Sequence, residues 1–131
     1  MTSLEAFEDT LHGVLSEIDG ALEERWGSRW PLHPARPPRG AAANPQYDGL
    51  FRVTASFTAG YGSEKGPGYL FRVEMATLEA VPPEERARIE EEAASLLREG
   101  LARSFPGRDL RVDRDGNGFK IHGDLSLDAG A

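Results

Sequence analysis

The chain has no cysteine. That excludes a disulfide framework, a thiolate-held zinc or iron–sulfur centre, and a thiol nucleophile. Positive charge is also scarce: 15 Lys and Arg stand against 22 Asp and Glu, for a net charge of −7. Phosphate neutralisation supplies most of the affinity in general nucleic-acid binding, so no nucleic-acid partner is expected. No apolar run approaches the roughly 20 residues that span a bilayer, and no membrane partner is expected. The opening Met1-Thr2-Ser3-Leu4-Glu5 lacks the basic and then apolar pattern of a secretory signal, which points to a cytoplasmic protein. Catalytic signatures are missing as well. There is no His-Glu-x-x-His, no nucleophile elbow and no conspicuous carboxylate pair. No catalytic residue, metal ligand or cofactor is assigned on this basis.

What is present suits a folded chain. At 131 residues the sequence has one domain's length, and its 39% hydrophobic and 28% charged residues favour a buried core over disorder. Leu4, Phe7, Leu11, Val14, Leu15, Ile18, Leu22 and Trp26 recur at helical spacing. Thr2 and Glu5 fit a capping box, and Gly27 a stop. The opposite face of this helix is expected to expose Glu5, Glu8, Asp9, Glu17, Asp19, Glu23 and Glu24.

Two strands follow. Phe51, Val53, Ala55 and Phe57 alternate with Arg52, Thr54, Ser56 and Thr58, and Tyr69, Phe71, Val73 and Met75 with Leu70, Arg72, Glu74 and Ala76, which gives one apolar and one more polar face. An antiparallel pairing would set Arg52 against Glu74. The glycine-rich segment 59–68 joins them as a hairpin loop. A second helix begins at Pro82-Pro83-Glu84-Glu85 and buries Ile89, Ala93, Leu96, Leu97, Leu101 and Phe105. Its charged face is expected to hold a Glu84–Arg88 pair. A final hairpin carries Leu110 and Val112 in, and Phe119, Ile121, Leu125 and Leu127 out. Residues 128–131 read as a disordered tail. The expected fold is one α+β domain over 1–131, a two-layer α/β sandwich of order α-β-β-α-β-β. It has a four-stranded antiparallel sheet with two helices packed on one face.

Residues 113–124, Asp-Arg-Asp-Gly-Asn-Gly-Phe-Lys-Ile-His-Gly-Asp, are similar to the calcium loop of EF-hand proteins. The resemblance implies oxygen ligands from Asp113, Asp115 and Asn117, with Gly116 at the sharp turn. The last loop position is Asp124 where the family has Glu, and no helix pattern precedes the segment. The same residues make a tight hairpin turn, because Asp-Gly and Asn-Gly accept positive φ. The hairpin is the preferred reading. In size, acidity and element order the chain resembles small acidic secretion chaperones, by composition alone.

The segment 27–48 is the most informative. Its five prolines forbid a long helix or a central strand. From Arg25 through Tyr47 there are four arginines and no acid. Arg29, His33, Arg36, Arg39 and Tyr47 are the candidate ligand- or partner-binding residues, since guanidinium groups take carboxylates and phosphates bidentately. The strip could instead fold back on the acidic helix with Trp26 and Trp30 in the core, or meet that helix in a second subunit. The functional expectation is a small cytoplasmic protein-interaction module, homodimeric or bound to another protein. The alternative is a binder of an anionic metabolite, or an enzyme without a familiar motif, with its site beside the strip.

Overall fold

The computed structural model describes residues 4–60 and 66–125. Its elements run α1 (Leu4–Trp26), a 3-10 turn (Pro45–Tyr47), β1 (Phe51–Thr58), β2 (Gly68–Met75), α2 (Pro83–Ser104), β3 (Leu110–Asp115) and β4 (Gly118–Gly123). The strands form one antiparallel sheet in the order β1-β2-β4-β3, with the helices packed on it. This is the α+β architecture expected from the alternation and helical periodicities. Thr2, residues 61–65 of the glycine-rich loop, Leu127 and the tail lie outside the described residues.

Period-two alternation decides which sheet face is dry. Phe51, Val53, Phe71, Val73, Phe119 and Ile121 are buried against the helical stripes of Phe7, Leu11, Leu22, Ile89 and Leu97. The register places Arg52 opposite Glu74 as expected. Two residues depart from the alternation rule. Phe57 is 62% exposed, because it stands at the far end of the edge strand β1. Lys120 belongs by parity to the polar face but is only 2% exposed, with its ammonium 2.7 Å from the Gly66 carbonyl and 3.4 Å from Asp115. On α2 the i,i+4 pair is Arg86–Glu90 rather than Glu84–Arg88.

The segment similar to a calcium loop forms the β3–β4 hairpin, with Asp115 paired to Gly118. Strands flank it in place of the helices of an EF-hand, and the Asp113 carboxylate lies 2.7 Å from His122 Nε2. Gly116 takes the positive φ of 60° that the tight turn requires.

The helices approach closely where Gly100 of α2 meets Val14 of α1. A Cβ on Gly100 would come within 2.6 Å of Val14 Cγ1. Gly100→Ala is therefore expected to destabilise the fold by about 1–3 kcal/mol in denaturant unfolding, although alanine is the better helix former. Val14→Ala in the same chain should restore part of that loss. A stabilised Gly100→Ala variant would mean that this contact is not tight.

Candidate functional site

The strip 27–50 lacks the hydrogen-bond ladder of a helix or sheet, so its buried polar backbone groups need other partners. Beside scattered turn hydrogen bonds, one side chain supplies several of them. Arg36 Nε donates to the Gly49 carbonyl at 2.9 Å, and its Nη2 lies 2.8–3.0 Å from the carbonyls of Gln46, Asp48 and Phe51. Asp48, 2% exposed, accepts from the Gly40 and Ala42 amides at 3.0 and 2.9 Å. Asn44 caps the 3-10 turn through the Gln46 amide, with Pro45 at its first position.

This closed strip lies over α1. Asp19 and Glu23, expected on the exposed acidic face, are buried at 2% and 8% exposure. They stand one helical turn apart, on the side that the strip covers. Glu23 Oε1 accepts the Phe51 amide at 2.8 Å. Gly49 makes room for that carboxylate, since at φ 72° its Cβ would fall on the Glu23 oxygens. Asp19 Oδ1 faces Arg39 Nη1 at 3.4 Å, and its Oδ2 is buried with no hydrogen-bond partner. Burial pushes the Asp19 carboxyl up to about 7. Glu23 adds to the rise, Arg39 opposes it, Asp48 adds again, and Arg36 opposes.

The five strip residues singled out from sequence do not converge. Arg36 clamps its own loop. Arg29 Nη2 lies 3.0 Å from both carboxylate oxygens of Glu85, and its guanidinium lies over the rings of Trp26 and Trp30. Arg39 covers Asp19. His33 Nδ1 accepts the Ala35 amide at 3.0 Å. Tyr47 is 53% exposed on the outer wall of a cavity. Trp26 is buried, stacked on Trp30 and bonded through Nε1 to Glu92 at 2.8 Å. The strip thus folds back on the acidic helix.

That cavity, of about 730 Å³, runs along the outer edge of β1. His12, Ser16 and Asp19 of α1 form one wall, Asn44 and Tyr47 another, and Arg52, Arg72 and Glu74 reach it from the polar sheet face. The sequence pattern sets Arg52, Arg72, Glu74 and His122 on one strand face, where they could converge with Tyr47 and Asp48; the cavity wall gathers Tyr47, Arg52, Arg72 and Glu74, but not Asp48 or His122. No ion pair forms between Arg52 and Glu74, although they are register partners.

The two sheet edges differ. Backbone groups of an antiparallel strand alternate between its neighbour and the outside. The Ala76 amide donates to the Leu50 carbonyl, so residues 52, 54, 56 and 58 bond inward to β2, and 51, 53, 55 and 57 point outward. At Phe51 the outward amide is held by Glu23 and the outward carbonyl by Arg36. The outward groups of Val53, Ala55 and Phe57 have no partner among the described residues. On the opposite edge, Arg98 of α2 donates to the outward Val112 carbonyl at 2.9 Å, and β3 carries Arg111, Asp113, Arg114 and Asp115. Charges and a covering helix blunt an edge; the sequence Val53-Thr54-Ala55-Ser56-Phe57-Thr58 has neither charge nor proline.

A family model described as "Uncharacterised protein" matches residues 2–123, from α1 through β4. The chain belongs to that family. A relative in Borreliella burgdorferi, described as an uncharacterized protein, is 44% identical over 117 residues, which is 89% of this chain and 91% of the relative. No solved structure matches. These likenesses attach no specific function. Among the described residues, no group of His, Asp and Glu is placed to hold a metal ion, and no helix is long and apolar enough to cross a membrane.

The buried Asp19 predicts a pH dependence. Its carboxyl holds a proton in the folded chain up to about pH 7, whereas the unfolded chain releases it near 3.8. Between those values the folded state binds more protons, so this group's contribution to stability is fully present below pH 3.8 and is lost as pH rises to 7. The loss should approach about 1.4 kcal/mol per pH unit in mid-window. Asp19→Asn should remove that slope. The measurement is the difference between wild-type and variant stability profiles; parallel profiles would contradict the assignment.

Proposed function

We propose that the protein is a protein-interaction module that works as a homodimer, joined by antiparallel pairing of the β1 edges of two copies. The observation that carries this reading is the edge itself, capped at Phe51 and open at Val53, Ala55 and Phe57.

The strand is complementary to itself. A two-fold axis through Ala55 sets Val53 against Phe57 of the second copy, Ala55 against Ala55, and Thr54 against Ser56. Only outward-pointing residues then form hydrogen-bonded pairs, giving about six new backbone bonds. The apolar Val–Phe pairs fall on the helix side, where Phe57 is otherwise 62% exposed. Cross-strand pairs of this kind contribute roughly 0.2–1 kcal/mol each. Arg52 meets the neutral Thr58, so no like charges oppose each other. The product is an eight-stranded sheet with all four helices on one face. Its setting, in this reading, is the cytoplasm, which an acidic and cysteine-free chain suits.

Native mass spectrometry of the untagged protein should report a dimer. Ala55→Pro should give a folded monomer, because the lost amide points outward and makes no bond to β2. Phe57→Lys should weaken the dimer by placing a charge on the edge. A monomeric wild type, or a dimer that survives Ala55→Pro, would overturn this reading.

A further inference from the structure

The cavity beside β1 holds charges that the fold itself does not use. There are 13 arginines in the chain. Eleven make a hydrogen bond, an ion pair or a ring contact, from Arg25 on Glu92 to Arg114 on Glu90. Arg52 and Arg72 make none among the described residues, and both line the cavity. Glu74, also on its wall, is likewise without a partner.

The register sets the two arginines near each other. Arg72 lies opposite Thr54 and Arg52 opposite Glu74, so the arginines are diagonal neighbours on one sheet face. Diagonal neighbours sit roughly 7–8 Å apart at the backbone, within reach of one another for long side chains. Their forks can close on a single oxyanion between them, with the Thr54 hydroxyl as a further donor. A ligand site of this kind is expected to be concave, several hundred Å³ in volume, and to carry a few convergent polar groups. The cavity meets each condition at about 730 Å³.

We infer that this cavity binds a small molecule through its phosphate or carboxylate group, held between Arg52 and Arg72. Glu74 defines the next group along the ligand. A carboxylate beside an anion site repels a bare polyanion and attracts an amine, so the favoured ligand carries a cationic amine next to its oxyanion. Tyr47 and Asn44, on the strip wall, bound the rest of the molecule. The cavity shares the β1 edge with the proposed dimer, but the arginines lie on the polar sheet face, whereas strand pairing uses the backbone of Val53, Ala55 and Phe57, so ligand binding is read separately from pairing.

The test is a two-dimensional NMR titration of the ¹⁵N-labelled full chain with inorganic phosphate, succinate and phosphoethanolamine, each against sodium chloride at matched ionic strength. It is repeated in the Ala55→Pro background, so that the site is read whether or not the chain dimerises. Saturable shifts at Arg52, Thr54 and Arg72 are expected, with phosphoethanolamine binding more tightly than phosphate. Arg52→Gln and Arg72→Gln should each weaken binding about tenfold or more. Glu74→Gln should erase the preference for the amine. Arg111→Gln, at an exposed arginine outside the cavity, should change nothing. Stronger response to phosphate or to succinate identifies the natural oxyanion. Shifts that never saturate, that chloride reproduces, or that persist in both arginine variants would overturn the inference.

Discussion

Arg36 is the interaction on which the strip and everything it covers depend. An irregular segment of more than twenty residues carries many backbone carbonyls, and leaving them buried without donors would cost more than local packing returns. Arg36 gathers three of them and the Phe51 carbonyl of β1, and Asp48 gathers two amides from the other side of the same loop. Closed in this way, the proline-rich strip acts as a third wall against α1. It buries Asp19 and Glu23, and it carries Gly49 and Phe51 to the Glu23 carboxylate.

The result is an ionic cluster in which the buried carboxyl groups of Asp19, Glu23 and Asp48 are set against half-buried Arg36 and exposed Arg39. Such clusters are weak sources of net stability, because desolvation offsets much of the attraction. Their effect is on geometry. Glu23 and Arg36 occupy the first outward position of β1 and fix where the free edge starts. The same closure sets Asn44 and Tyr47 beside the strand and so shapes the cavity. The Asp19 oxygen left without a partner is the visible cost of this arrangement.

Much of the fold was legible in the sequence because period matched environment. The alternation in 51–57 and 69–75 marked the strands, and the Arg52–Glu74 register followed from it. The stripes of both helices found the core. What stayed hidden involves partners far apart in the chain. Asp19 and Glu23 fall on the polar side of α1, and only a strip that returns over that side buries them. Lys120 obeys the strand's parity and is covered all the same, by contact with the Gly66 carbonyl. Arg36 looked like a ligand-binding arginine, since a guanidinium in a basic loop gives no sign that its acceptors are the loop's own carbonyls. The unpaired state of Arg52 and Arg72 is likewise a matter of side-chain geometry, which register alone does not specify.

Two features of the molecule therefore meet at β1, a capped start and an open continuation, with a charged cavity alongside. The most direct measurement is amide hydrogen exchange along residues 51–57, followed by NMR over a range of protein concentrations. The Phe51 amide, held by Glu23, should be protected at every concentration. The amides of Val53, Ala55 and Phe57 should exchange freely when dilute and gain protection together as concentration rises. Fast exchange at those three positions at all concentrations, or loss of protection at Phe51, would contradict the account.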